Sequence, residues 1–150
     1  MRARVIGLGQ AAAGDDGVGL AVLDALRARG VPADVELVRA AEDATLVSLL
    51  ETRAPVVLVD AVLGTPAGEV LELSPADLAR RGARAVSTHG LGVSDAVDLA
   101  RTLAPDTVSP SVRVIAVTIE RPAGYAQSLS AAVAAAVPRA VERVLGLVGG

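Results

Sequence analysis

Short runs of aliphatic residues alternate along the chain with segments in which apolar side chains recur every three or four positions. The aliphatic runs predict four strands, at Arg4–Leu8, Val35–Arg39, Pro55–Ala61 and Val112–Ile119. The three-to-four-residue spacing predicts four helices, at Asp15–Arg29, Glu42–Thr52, Leu91–Leu103 and Ser128–Leu147. Strands that alternate with helices in this way are typical of βαβ units, so the pattern predicts an α/β fold around a mostly parallel sheet.

Smaller features refine this pattern. The segment Gly68–Ser74 predicts an extra strand, followed by a short helix that Ser74 can cap and Pro75 can begin. Pro138 predicts a kink or a break in the last helix. The chain shows no internal repeat and no long linker, so we expect residues 1–150 to form a single domain.

Composition and charge exclude several classes of function. The net charge of −3 and the absence of Phe and Trp argue against a nucleic-acid partner. Without cysteine the chain has no disulfide, no thiolate metal ligand and no cysteine nucleophile. Neither a signal peptide nor an apolar run of membrane-spanning length is visible, so we expect a cytoplasmic protein with no membrane partner.

A glycine-rich loop, GLGQAAAGDDGVG, joins the first strand to the first helix. Such loops often bind the phosphates of a dinucleotide, but here Ala12 stands at the third glycine position of that motif. Asp15 and Asp16 would repel a pyrophosphate at the helix start, and Arg39 replaces the acidic residue that binds a ribose. We therefore expect no nucleotide. One of the two aspartates is expected to cap the helix, which leaves the other over the strand ends.

Three candidate ligands lie beside the predicted carboxyl edge of the sheet, where open α/β folds bind their ligands. Asp16 follows the first strand, Asp60 ends the third, and His89 lies in a glycine-containing loop before a helix. Each has an ordinary alternative: a helix cap for Asp16, a loop cap for Asp60 and a solvated side chain for His89. Together, two carboxylates and an imidazole form a mixed set that suits Zn, Ni or Fe(II) better than Mg.

Three segments carry a resemblance to a known family. The segments are VIGLGQAAAGDDGVG, VLVDAVLGTPAGEV and STHGLGVSDAV. In this order and spacing they resemble the hydrogenase maturation endopeptidases over nearly the whole chain. The resemblance implies a three-layer sandwich, in which a five-stranded, mostly parallel twisted sheet has helices on both faces. It also implies an aspartic-type endopeptidase that removes a C-terminal extension from the precursor of a nickel-containing hydrogenase large subunit.

The resemblance further implies a metal site and a partner. Its metal-binding positions fall on Asp16, Asp60 and His89, which would be both the nickel ligands and the catalytic residues. Nickel would arrive inside the substrate precursor, so no permanent cofactor is expected. A metal-polarised carbonyl or a metal-bound water could serve the cleavage, with Asp16 or Asp60 as the proton acceptor.

Two departures from the family pattern leave alternatives open. Gln10 stands where the family usually has Asn, and Arg39-Ala40-Ala41 stands where many members have Asp-Gly-Gly. An arginine on the sheet edge of the proposed site would make cation binding less favourable. The alternative to the maturation peptidase is therefore a divergent paralogue, which binds a metalloprotein precursor without cleaving it or processes another substrate.

Overall fold

The structure is a computed structural model that describes residues 1–9, 11–40, 43–80, 92–120 and 128–149. Its strands are β1 (Ala3–Leu8), β2 (Val35–Ala40), β3 (Val56–Leu63), β4 (Val70–Leu73) and β5 (Val112–Ile119). Its α-helices are α1 (Val18–Arg29), α2 (Asp43–Leu49), α3 (Pro75–Arg80), α4 (Val93–Leu103) and α5 (Ala131–Val148). A 3-10 helix, Ala11–Gly17, lies between β1 and α1.

The strands form one five-stranded sheet in the order β2-β1-β3-β5-β4. The pairings of β1 with β2, of β1 with β3 and of β3 with β5 are parallel, and β4 is antiparallel to β5. All four predicted strands and the extra strand are therefore present. The central strand, β3, is buried at every position from Val56 to Val62, as its unbroken aliphatic run predicts.

Helices cover both faces of the sheet, which confirms the three-layer α/β sandwich. On one face, α1 and α5 pack against alternate residues of the strands, including Val5, Val59 and Val117. On the other face, α2, α3 and α4 pack against the residues between them, including Leu58 and Val114. Within the described residues, no helix combines the length and apolarity that a bilayer-spanning segment needs.

The last helix is continuous through its internal proline. The structure has one helix from Ala131 to Val148, so of the predicted kink or break at Pro138 the break is wrong. Pro138 lies on the exposed side of α5, where water can bind the backbone carbonyl that loses its helical partner. Val133, Ala136 and Ala140 on the opposite side are fully buried against the sheet, and this packing stabilises the helix across the proline.

The start of the first helix differs from the prediction. The α-helix begins at Val18, and Asp15 and Asp16 lie in the preceding 3-10 helix. The residue at the N-cap position is Gly17, which forms no side-chain capping bond, so the prediction that an aspartate caps α1 is wrong. Apolar spacing does not distinguish a 3-10 turn from the first turn of an α-helix, which explains the error.

The short helix α3 begins as predicted. The Ser74 hydroxyl accepts a hydrogen bond from the Asp77 backbone N–H at 3.0 Å. In return, the Asp77 carboxylate accepts one from the Ser74 N–H at 3.1 Å. These two bonds form a reciprocal capping box around Pro75, the first residue of the helix.

Helix α1 lies close to the sheet at Gly19. A Cβ atom added to Gly19 would lie 2.4 Å from the carbonyl oxygens of both Leu8 and Val59. These oxygens belong to the backbones of β1 and β3, so neither can move without disturbing the sheet. Glycine at this position therefore allows the first turn of α1 to rest on the two central strands.

We expect Gly19→Ala to lower the free energy of unfolding by about 3 kcal/mol, because the methyl group pushes α1 away from both strands. Urea unfolding measures the change. The matched control is Gly146→Ala in α5, where an added Cβ atom has no neighbour within 4 Å. That substitution should raise the stability by up to about 1 kcal/mol through helix propensity alone. Equal stabilities of Gly19→Ala and wild type would contradict the close approach.

Candidate functional site

The candidate site lies where the connections from neighbouring strands diverge. From β1 the chain passes through α1 to β2 on one side, and from β2 it passes through α2 to β3 on the other side of β1. The helices α1 and α2 cover opposite faces of the sheet. This arrangement is a topological switch point, and open α/β sheets bind ligands in the crevice that forms there, beyond the carboxyl ends of the strands.

Asp60 lies at the mouth of this crevice. The pairing of β1 with β3 ends at Gly7 and Val59, whereas the pairing of β3 with β5 continues through Asp60 to Leu63. The strand thus runs two residues beyond its predicted end. Because side chains alternate between the faces, Asp60 shares the face of Leu58 and Val62, which α2, α3 and α4 cover.

Asp16 approaches the same crevice from the other side. Asp16 is only 4% exposed, although it lies in the connecting segment between β1 and α1. The turn out of β1 uses Gly9, which has a φ angle of +120°. A Cβ atom added there would lie 2.1 Å from the Asp16 carbonyl oxygen, so only glycine allows the Asp16 backbone to pack this closely on the end of β1.

The surroundings of Asp60, which include the charge of Asp16, raise its pKa. Burial, and to a smaller extent the nearby negative charge of Asp16, raise this pKa from its ordinary value of 3.8 to about 7. A hydrogen bond of 2.8 Å from the Ala61 backbone N–H to the carboxylate acts in the opposite direction. Among the described residues, no arginine forms an ion pair with Asp60. Ionisation of Asp60 is therefore costly in this position, because burial and the charge of Asp16 both oppose it.

The third candidate ligand, His89, lies outside the described residues, as does Gln10. Within the part of the chain that the structure describes, no group of three or more potential metal ligands is present. Of the three predicted site residues, the structure thus brings Asp16 and Asp60 together. The roles of all three stay predictions.

Helix α4, which follows His89 in the sequence, has a defined direction. Ser109 lies six residues after the end of α4. Its backbone N–H donates a hydrogen bond to the Leu50 carbonyl at 2.8 Å, and its hydroxyl donates one to the Ala54 carbonyl at 2.7 Å. Residues 50–54 precede β3, so the carboxyl end of α4 lies at the amino edge of the sheet. Its amino end at Val93 therefore points toward the edge that holds Asp60.

Arg39, the residue that raised doubt about cation binding, lies on the other face of the sheet. It pairs with Gly7, which in turn pairs with Val59, so all three share one row of the sheet. The side chain of Val59 packs on the α1 face, opposite to the face of Asp60. Arg39 is exposed, and its strand is two strand spacings, about 10 Å, from β3.

Comparison with known proteins identifies the family. The sequence model described as hydrogenase maturation protease matches residues 21–147. The chain belongs to this family. It is therefore a peptidase, and it works on the kind of partner that the sequence predicts, the precursor of a hydrogenase large subunit. No curated protein shows significant sequence similarity to the chain.

Solved structures of other maturation proteases share the fold. The hydrogenase maturating endopeptidase HybD from E. coli is 24% identical, with a TM-score of 0.79 over 98% of this chain and 91% of that one. The [NiFe] hydrogenase maturation protease HybD from Thermococcus kodakarensis is 23% identical, with a TM-score of 0.78 over 99% of both chains. HycI from Thermococcus kodakarensis KOD1 is 20% identical, with a TM-score of 0.73 over 99% and 93%.

We expect Arg39→Ala to leave precursor processing by this maturation protease within about twofold of wild type, because Arg39 is exposed to solvent, which screens its charge, and lies on the other face of the sheet. Initial rates of precursor cleavage at low and at physiological salt measure the effect. A gain of about tenfold or more that disappears at high salt would show that Arg39 opposes cation binding at the site.

Sequence reasoning missed one contact of the protease beside the site, made by Asp15. Asp15 accepts hydrogen bonds from the Ser130 backbone N–H at 2.6 Å and from the Ser130 hydroxyl at 2.8 Å. The two residues are 115 positions apart. The only signal in the sequence is the doubled aspartate itself, which exceeds what one helix cap requires.

Proposed function

We propose that this maturation protease removes a C-terminal extension from the nickel-loaded precursor of a hydrogenase large subunit, and that it recognises the nickel through Asp16, Asp60 and His89. The observation that carries the proposal is the pair of buried carboxylates at the switch point. Asp16 is 4% exposed and Asp60 is 7% exposed, and their charges interact. Membership of the family supports the peptidase reaction, and the carboxylate pair supports the binding of a metal carried by the substrate.

A divalent cation is the ligand that this electrostatic arrangement favours. Two neighbouring carboxylates that leave water lose solvation and repel each other, and a cation between them offsets both costs. The raised pKa of Asp60 means that its carboxyl group largely keeps a proton up to neutral pH when no cation is bound. Binding of a cation requires that this proton leave, so cation binding at the site is coupled to deprotonation of Asp60.

His89 completes the proposed ligand set. It stands four residues before Val93 in the sequence, and the amino end of α4 points toward the edge of the sheet where Asp60 lies. An imidazole added to two carboxylates gives the mixed nitrogen and oxygen donors that suit nickel. Because the metal belongs to the substrate, the protease needs no permanent cofactor.

The carboxylates also supply the acid–base chemistry of hydrolysis. Water adds to the scissile carbonyl carbon, its proton passes to Asp16 or Asp60, and a proton returns to the amine that leaves. Arg39, the departure that favoured a paralogue that binds without cutting, lies on the other face of the sheet from Asp60.

The test compares one precursor in two states of metal loading. We expect the wild-type protease to cleave the nickel-loaded precursor and to leave both the nickel-free precursor and a free peptide spanning the cleavage site intact. Mass spectrometry of the released C-terminal fragment measures cleavage. His89→Ala should fail on the loaded precursor while its unfolding midpoint stays near that of wild type. Equal cleavage of loaded and nickel-free precursor would overturn the role of nickel, and full activity of His89→Ala would remove the histidine from it.

A further inference from the structure

Asp15 connects the segment that carries Asp16 to the start of α5. Both oxygens of its carboxylate are used, one by the backbone N–H and one by the hydroxyl of Ser130. Ser130 occupies the N-cap position of α5, the 18-residue helix that packs across the α1 face of the sheet. The contact is bidentate and involves a charged acceptor, which makes it stronger than an ordinary surface hydrogen bond.

The 3-10 helix separates the directions of the two aspartates. With about three residues per turn, consecutive side chains in such a helix point about 120° apart. Asp15 is half-buried against α5, whereas Asp16 is buried close enough to Asp60 to change its pKa. Rotation of the short helix about its axis would therefore move both carboxylates at once, and a restraint on Asp15 restrains Asp16.

Ser130 shows that this contact replaces an ordinary helix cap. A serine at the N-cap normally accepts a hydrogen bond from a backbone N–H in the first turn of its own helix. The Ser130 hydroxyl makes no such bond and donates to Asp15. The negative charge of Asp15 also lies at the positive end of the α5 dipole, which favours the carboxylate there.

The first turn of α5 also supports the segment that follows Asp60. A Cβ atom added to Gly68, in the loop between β3 and β4, would lie 2.5 Å from the Ala132 carbonyl oxygen. Arg139, about two turns further along the same helix, donates a hydrogen bond to the Gly68 carbonyl at 2.7 Å. The first half of α5 thus contacts the connections from both carboxylate-bearing segments.

We propose that Asp15 is a positioning residue of the peptidase: by holding Ser130, it fixes the 3-10 helix so that the Asp16 carboxylate stays beside Asp60. This inference rests on the proposed function of Asp16. Asp15 itself touches neither substrate nor metal. Its removal should therefore reduce the rate of cleavage by displacing Asp16, while the affinity for the precursor changes little.

The test is steady-state processing of the nickel-loaded precursor by Asp15→Ala, Ser130→Ala and the double variant. We expect Asp15→Ala to lower kcat by about ten- to a hundredfold, because a small misplacement of a reacting group has an effect of this size. KM should stay within about twofold of wild type. Ser130→Ala keeps the backbone donor and should lose less. The double variant should be no worse than Asp15→Ala, because both changes remove one contact. Asp15→Asn, whose amide oxygen still accepts the Ser130 N–H, should recover part of kcat.

A matched control separates positioning from general stability. Glu142 in α5 forms an exposed ion pair with Arg29 of α1, a second contact between these regions that lies away from the site. Glu142→Gln should leave kcat unchanged, with all assays run well below the unfolding midpoint of each variant. Wild-type kcat in a folded Asp15→Ala protein, while Asp16→Asn is inactive, would overturn the positioning role and leave the proposed function intact. Activity in Asp16→Asn would instead overturn the part of the proposed function that assigns Asp16 to the site.

Discussion

Asp16→Asn is expected to lower cleavage of the nickel-loaded precursor by at least about a hundredfold. Loss of a residue that only orients a metal ligand typically costs ten- to a hundredfold, and loss of a ligand charge should cost no less. The amide has the shape of the carboxylate, so the substitution removes the charge and leaves the packing in place. Single-turnover cleavage, followed by the mass of the released fragment, measures the loss.

The folded state should survive this substitution. Asp16 is 4% exposed and adds to the negative charge around Asp60, so its neutralisation relieves repulsion. The control is Asp24→Asn, which removes an exposed carboxylate from α1 that pairs with Arg27 three residues away. This control should process the precursor at the wild-type rate. Loss of a residue that only orients a metal ligand typically costs about tenfold or more. Activity of Asp16→Asn within about threefold of wild type would therefore remove Asp16 from the site.

The sequence predicted the sheet well because its strands are strongly patterned. The run that forms β3 is aliphatic throughout apart from Asp60, and such a run indicates a strand that is covered on both faces. Asp60 near the end of this run, together with Asp15 and Asp16 in the glycine loop, was enough to predict the candidate site at the carboxyl edge of the sheet. The structure then brings Asp16 and Asp60 together at that edge.

The remaining features depend on geometry that periodicity does not contain. Arg39 was placed at the correct edge, but the face on which it lies follows from its register with Gly7 and Val59. The 3-10 turn before α1 depends on the backbone conformation of Gly9, which reverses the chain direction. The spacing of apolar residues does not predict that conformation. The bond from Asp15 to Ser130 joins residues 115 positions apart, and neither shows a local signal for the other.

Asp60→Asn is expected to stabilise the folded protein at pH 8. The pKa of Asp60 is raised from 3.8 in the unfolded chain to about 7 in the folded one. Below pH 3.8 both states hold the proton, so the group costs nothing. Between pH 3.8 and 7 only the unfolded state loses it, so stability falls as the pH rises, and above pH 7 the full cost is present. At about 1.4 kcal/mol per pKa unit, this cost is on the order of 4 kcal/mol.

An uncharged asparagine avoids most of this cost. Its side-chain oxygen can still accept the hydrogen bond from the Ala61 N–H, but its amide N–H groups also need partners in a buried position. We therefore expect a gain of about 2–4 kcal/mol in the free energy of unfolding at pH 8, which shrinks toward zero near pH 4. Urea unfolding of both proteins at pH 4, 6 and 8 measures this difference.

Asp77→Asn provides the opposite comparison. Hydrogen bonds from the Ser74 backbone N–H and hydroxyl, and from Arg80, lower the pKa of Asp77. Its ionised form stabilises the fold above pH 3.8, and this contribution is lost as the pH falls through the lowered value. Asp77→Asn should thus lose stability at pH 8, where Asp60→Asn gains it. Equal stability of Asp60→Asn and wild type at pH 8 would show that the buried carboxylate is not destabilising.

The same Asp60→Asn protein should fail to process the nickel-loaded precursor, although it is the more stable of the two. A buried carboxylate that the described residues do not neutralise is a poor choice for stability, and neutral alternatives of the same shape are available. Its retention is explained if a cation or a transferred proton needs the charge there, which is the stability–function trade-off typical of reactive sites. A stabilised Asp60→Asn protein that still cleaves at the wild-type rate would separate the two properties and exclude Asp60 from the reaction.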